Sequence, residues 1–82
     1  MTWHSRLILR LGESLKFEAK HAKGNLGQEE IESHSIVDQG GKVTGSVQYT
    51  EHMSIKAPFV QSLRVVQSNE VGSVVVDQRW NE

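Results

Sequence analysis

The chain has 82 residues, no cysteine, and a net charge of −1 from nine basic and ten acidic residues. A chain of this length buries only about 60% of the surface that its unfolded form exposes, and without cysteine no disulfide can reinforce so small a core. The balanced charge argues against a broad basic surface for nucleic acid. The chain lacks the apolar core of a signal peptide and any run of transmembrane length. We therefore expect one domain over residues 1–82, cytoplasmic and without membrane contact, that gains stability by forming a homo-oligomer.

Apolar and polar residues alternate along most of the chain, which predicts short antiparallel strands. The first strand is expected over residues 3–11. The second is expected over residues 15–20, where a helix capped by Gly24 is the alternative because Leu, Lys, Glu and Ala favour helices. The remaining strands are expected at residues 33–38, 43–52, 63–67 and 71–80. This pattern predicts an all-β domain, a small antiparallel β-sandwich of about six or seven short strands.

Glycine, proline and valine residues add to this expectation. Gly40 and Gly41 supply the positive φ that tight hairpins need. Pro58 favours extended geometry in the residue before it, so residues 53–57 are expected to continue the preceding strand. The valines at 74–76 are apolar on both faces of a strand, and one small chain would leave one of those faces exposed. We expect a neighbouring subunit to cover it, in a homo-oligomer joined through its sheets.

The strand at residues 43–52 has two chemically different faces. Because successive strand residues point to opposite sides, Val43, Val47 and Tyr49 are expected to share the core side. The other side carries only hydrogen-bonding residues, namely Thr44, Ser46, Gln48, Thr50 and His52. A solvated outer surface is the simpler interpretation of this pattern. A surface that meets a polar ligand or a neighbouring subunit is the alternative.

No catalytic or metal-binding pattern stands out in the sequence. Ser33 and Ser35 flank His34, but neighbours along a strand point to opposite faces, so a serine–histidine pair is not expected. The acidic residues near position 30 are interpreted as a solvated loop, with Ile31 as the only apolar anchor in that stretch. The four histidines are scattered without ligand spacing. We expect no enzyme, no catalytic residue and no metal site.

Several short motifs between residues 33 and 76 occur in one known family. They are His34-Ser35, Asp38, Gly41, Val43, Gln48-Tyr49-Thr50-Glu51-His52, Ser54, Ile55-Lys56 and Val66-Gln67-Ser68. Over about half of the chain, these residues resemble the tryptophan RNA-binding attenuation protein family, which regulates transcription. The match needs one-residue gaps near residues 37, 45 and 53.

The resemblance implies a ring of β subunits joined edge to edge, with a small ligand such as L-tryptophan between neighbours and single-stranded RNA around the outside. No other cofactor is implied. The ligand-binding residues that it implies are Gln48, Thr50, His52 and Ser54. Lys56 and Asp38 are assigned to RNA binding. The sequence departs from the family in two ways. The other positions that are basic in the family fall on Pro58 and near Ile36 in this sequence. The first loop, which is threonine-rich in the family, would match residues 23–28.

The leading hypothesis is therefore a ring-forming regulatory protein that binds a small ligand, with RNA as a second partner. The alternative is a ligand-free structural or assembly module of phage or plasmid type, or an Sm-like ring. An empty pocket between subunits and a ring without a basic belt would favour that alternative. An enzyme is the third interpretation.

Overall fold

The computed structural model describes residues 3–24, 28–54, 56–57 and 60–81. Within these ranges a short 3-10 helix (Trp3–Arg6) precedes five strands. The strands are β1 (Ser14–Lys23), β2 (Glu29–Val37), β3 (Val43–Met53), β4 (Gln61–Asn69) and β5 (Val74–Asn81). They lie in one sheet in the order β1-β2-β3-β4-β5, and each neighbouring pair is antiparallel. The all-β prediction is confirmed, and the helical alternative for the region of β1 is wrong.

The described residues form a single sheet of five strands, which corrects the predicted sandwich of about six or seven strands. The predicted strand that has no counterpart in the sheet is the N-terminal one at residues 3–11. The predicted extension of the strand at residues 43–52 over residues 53–57 is also wrong, because β3 ends at Met53, Lys56 lies in a bend and Ala57 lies in a turn. Ile55, in the same predicted extension, lies outside the described residues. In the part of the chain that the structure describes, no helix has the length and hydropathy that crossing a bilayer would require.

Two hairpin turns of the same construction join β2 to β3 and β4 to β5. The Gly41 N–H donates to the Asp38 carbonyl at 3.0 Å, and the Gly72 N–H donates to the Asn69 carbonyl at 3.0 Å. In each turn a side-chain oxygen of the first residue accepts two further backbone N–H groups. Gly41 and Gly72 have φ values of 84° and 87°, which residues with a side chain adopt only at a cost. Gly40 and Gly41 were both predicted to supply positive φ, and of these two only Gly41 does so.

The hydrophobic core lies on one face of the sheet, called the core face below. Its buried residues are Ile36, Val47, Tyr49, Leu63, Val65 and Val76. Val47 and Tyr49 are buried as their alternation predicts, and Tyr49 lies opposite the fully buried Val65. Ile31 is also buried, but it lies opposite Thr50 and therefore on the other face.

Residues 3–11, called the N-terminal segment below, cover the core face instead of adding a strand to the sheet. The Trp3 ring stacks on the Tyr49 ring at a centroid distance of 4.8 Å. Leu7 follows Trp3 by four residues, so one helical turn brings both side chains onto the core. The predicted first strand is wrong because this turn, rather than strand alternation, places the apolar side chains.

The buried side chain of Gln67 holds the N-terminal segment in place. Its amide nitrogen donates to the Ile8 carbonyl at 2.7 Å, and its amide oxygen accepts from the Ile8 N–H at 2.9 Å. These are the two hydrogen bonds that a neighbouring strand would otherwise make with Ile8. A second anchor is Arg6, which donates to Gln78 at 2.9 Å and lies 3.9 Å above the Trp80 ring.

A β-bulge changes which side chains face the core at the start of β3. The register of β2 against β3 shifts between Ile36 and Val37, so one extra residue is inserted there. Val43, predicted on the core side, is 54% exposed. Thr44, predicted on the outer side, donates its hydroxyl to Glu13 at 2.6 Å in the chain that leads into β1. The predicted alternation holds beyond this bulge.

Candidate functional site

The second face of the sheet, called the outer face below, is lined mainly by hydrogen-bonding and charged side chains. Cross-strand neighbours share a face, so the strand register identifies its members. One row across the sheet contains Lys23, Glu29, His52, Ser62 and Asn81. The next row contains His21, Ile31, Thr50, Arg64 and Arg79. A third contains Ser33, Gln48, Val66 and Asp77.

An open cavity of about 560 Å³, called the outer groove below, lies over these rows near the end of β3. Gln48, Thr50 and His52 line it, so the structure brings together three of the four predicted ligand-binding residues. The buried Ile31 lies between the polar side chains that line the groove. The lining of the outer groove also includes the charged residues Lys23, Glu29, Arg64 and Arg79.

Ser54, the fourth predicted ligand-binding residue, does not line the outer groove. Its hydroxyl accepts a hydrogen bond from the Lys56 N–H at 3.2 Å and donates to the Lys56 carbonyl at 3.1 Å. Its backbone N–H donates to the Val60 carbonyl at 3.0 Å. Ser54 therefore stabilises the start of the connection between β3 and β4.

The two residues assigned to RNA binding lie at opposite ends of β3, a strand roughly 35 Å long at about 3.3 Å per residue. Lys56 is exposed just beyond the end of the strand. Asp38 lies before its start, where one carboxylate oxygen accepts hydrogen bonds from the Gly40 and Lys42 N–H groups, each at 2.9 Å. The Asp38 carboxylate therefore stabilises the turn between β2 and β3. In one chain the two residues do not form a common surface.

An arginine–aspartate ion pair and a histidine–glutamate contact organise much of the charge around the outer groove. Arg64 donates to both carboxylate oxygens of Asp77, at 3.0 and 2.9 Å. These hydrogen bonds lower the pKa of Asp77 below its ordinary value of 3.8 and raise the pKa of Arg64. At the other side of the groove, His52 Nδ1 lies 3.4 Å from a Glu29 carboxylate oxygen.

The charged residues of the outer groove were missed by sequence reasoning because they come from four different strands. Lys23 and Glu29 are register partners across β1 and β2, and Arg64 and Arg79 are register partners across β4 and β5. The second pair also depends on a bulge. Beside the turn Ser68 lies opposite Val74, a register that would place Arg64 opposite Gln78, and the shift between Gln67 and Ser68 places it opposite Arg79 instead.

Within the described ranges, no group of three or more His, Cys, Asp or Glu side chains is arranged to hold a metal ion. No protein-family model, curated protein or solved structure matches the chain.

Proposed function

We propose that the protein is a homo-oligomeric regulatory module that binds a small ligand in the outer groove. The observation that carries this proposal is that Gln48, Thr50 and His52 line one cavity. An α-amino acid is the ligand class, and the resemblance to the attenuation protein family makes L-tryptophan its first candidate. Control of transcription through bound RNA is the corresponding role in the cell.

The chemistry of the groove supports an amino acid as the ligand. The Gln48 amide offers both a donor and an acceptor, and the Thr50 hydroxyl can act as either. The Ile31 side chain also lines the groove, although only 5% of the residue is exposed. Arginine and glutamate side chains provide opposite charges for a carboxylate and an ammonium group. The volume of about 560 Å³ falls within the range of small-molecule sites.

The open edges of the sheet support the assembly of several copies. β1 and β5 are the outer strands, and each has one neighbour within the chain. At β5 the apolar side chains of Val74 and Val75 are 59% and 44% exposed. Pairing β5 of one copy with β1 of the next would extend the sheet, and a head-to-tail contact of this kind forms a ring when its rotation closes. The junction would lie beside Arg79, so a neighbouring copy would border the outer groove.

Calorimetric titration with tryptophan and a panel of other amino acids tests the ligand. Thr50→Val removes one hydroxyl from the groove at nearly constant volume and should weaken binding. Ser46→Ala is the matched control, since Ser46 lies on the same strand, outside the groove. If no amino acid of the panel produces heat of binding, the proposal that the ligand is an amino acid fails. Equal affinity of both variants and the original protein would place the ligand elsewhere.

Native mass spectrometry, with and without tryptophan, tests the assembly and reports copy number and occupancy together. A monomeric mass at micromolar concentration would contradict the ring. RNA binding is tested by fluorescence anisotropy over a series of salt concentrations. Lys56→Ala should weaken it to a similar extent for every RNA sequence and reduce its salt dependence.

A ligand-free assembly module is the second candidate, and a different observation favours it. Ile8 and Val71, which are 62% and 80% exposed, line a second cavity of about 440 Å³ together with Val75. Aliphatic side chains exposed in this way are suited to contact with another protein chain. An oligomer whose mass and stability respond to no amino acid would favour this function.

A further inference from the structure

Two arginines face each other on the outer face of the last hairpin. Arg64 on β4 is the register partner of Arg79 on β5, and both line the outer groove. Like charges that lie directly opposite in an antiparallel pair destabilise the sheet. A negative charge nearby offsets the repulsion between the two guanidinium groups. The groups that already contact each arginine therefore indicate whether the groove has room for a further anion.

Among the described residues, Arg64 makes a direct contact with a carboxylate and Arg79 does not. The Arg64 guanidinium makes a bidentate contact with Asp77, which uses both carboxylate oxygens. Within the ranges that the structure describes, the Arg79 side chain makes no direct hydrogen bond or ion pair, and its charge acts on Asp77 only at longer range, adding to the lowering of the pKa of that carboxyl. The Arg79 side chain is exposed at the groove. The Arg79 guanidinium is therefore free to bind an anion that enters from solvent.

The other charges of the groove are balanced. Lys23 lies opposite Glu29 in the register of β1 and β2, so these two charges offset each other. Arg64 and Asp77 do the same through their bidentate contact. Lys23, Arg64 and Arg79 thus carry three positive charges against the two negative charges of Glu29 and Asp77, and Arg79 is the arginine of this set without a direct carboxylate contact. A carboxylate group of the ligand would bring one negative charge to Arg79, whereas a phosphate dianion would bring a second negative charge near Asp77 and Glu29.

We infer that Arg79 binds the carboxylate of the ligand and that the ligand is a carboxylic acid with one negative charge at that position. The planar guanidinium can donate two parallel hydrogen bonds to a carboxylate. The Thr50 hydroxyl and the Gln48 amide line the same groove and would orient the bound group. This inference rests on the proposed role of the outer groove as a ligand site and narrows the class of ligand.

The test is a nuclear magnetic resonance titration of the ¹⁵N-labelled full chain with sodium acetate. Sodium chloride and inorganic phosphate are titrated separately at matched ionic strength. Acetate should produce saturable shifts of the Arg79 Nε–H and Thr50 N–H signals that chloride does not produce. Arg79→Gln should weaken acetate binding by about tenfold or more, because a charge-assisted bidentate contact is lost.

Two further variants separate this inference from ordinary solvation of an exposed arginine. Arg64→Gln frees Asp77 to pair with Arg79, so it should also weaken acetate binding. Lys42→Gln removes an exposed positive charge in the hairpin turn between β2 and β3, close to Glu70, and should leave acetate binding unchanged. Thermal melts of each variant report whether the fold is retained.

Acetate shifts no larger than those of chloride would overturn the inference, as would tighter binding of phosphate than of acetate at Arg79. Binding of an amino acid that is unaffected by Arg79→Gln would also overturn it, while leaving the groove as a ligand site. If acetate binds at Arg79 but no amino acid binds, the carboxylate site is supported and the amino acid proposal fails.

Discussion

Replacing Gln67 by methionine should detach the N-terminal segment while leaving the sheet folded. The Gln67 amide makes two hydrogen bonds to the backbone of Ile8, at 2.7 and 2.9 Å, and it is 5% exposed. Methionine has a similar length and fills the buried space, but it can make neither of these bonds. The variant therefore tests the hydrogen bonds separately from the packing.

The expected cost is about 2 kcal/mol, from two hydrogen bonds that each contribute about 1 kcal/mol net. It should not be much larger, because the Ile8 side chain is 62% exposed and its backbone can be hydrated once the segment moves away. A chain of this size has a total stability of roughly 4 to 12 kcal/mol. The loss should therefore open the N-terminal segment about 30-fold more often without unfolding the sheet.

Hydrogen exchange measured by nuclear magnetic resonance can follow the Ile8 and Val65 amides in the same sample. The Gln67→Met variant should lose about 30-fold of its protection at Ile8, with a smaller change at Val65. Gln78→Met is the control, because the Gln78 side chain accepts a hydrogen bond from Arg6 at an exposed position. Its effect should stay below about 0.5 kcal/mol. Unchanged protection of Ile8 in the Gln67 variant would refute the argument that this amide holds the segment.

Gly45→Ala should destabilise the protein by about 1 to 3 kcal/mol in urea unfolding, because its added Cβ would lie 2.6 Å from the Ser68 carbonyl oxygen. Gly40→Ala, whose Cβ would meet only an Asp38 oxygen at 3.4 Å, is the control, and an equal effect would contradict the steric explanation. Stability should also fall in acid. Hydrogen bonds from Arg64 lower the pKa of Asp77 below 3.8, so their contribution is present above that value and is lost as the pH falls through the folded-state pKa. Asp77→Asn should lessen this acid dependence in urea midpoints measured between neutral and acidic pH, and an identical pH profile would contradict it.

The alternation of side chains predicted the middle of the sheet well, because it depends only on the local geometry of a strand. Val47 and Tyr49 are buried, while Gln48 and His52 are on the outer face. The alternation failed at Val43, where a bulge inserts one residue. Bulges arise from the pairing of two strands, and the alternation within one strand does not reveal them.

The position of the N-terminal segment and the clustering of charges in the outer groove could not be predicted from the sequence, for a related reason. The apolar residues of the segment fit a strand as well as they fit a helical turn, and the decisive contacts come from Gln67 and Tyr49, far along the chain. Lys23 and Arg79 reach the same groove only after four hairpin pairings are fixed. The homo-oligomeric ring, the ligand and the RNA partner remain predictions.

The two matching hairpin turns lie side by side at one end of the sheet, where Lys42 and Glu70 approach to 3.9 Å. Their hydrogen bonds fix the strand pairing from that end. The outer groove lies toward the other end, where the connections from β1 to β2 and from β3 to β4 begin and finish. This separation would allow evolution, or a protein engineer, to exchange those connections and change the surroundings of the outer groove while the scaffold keeps its alignment.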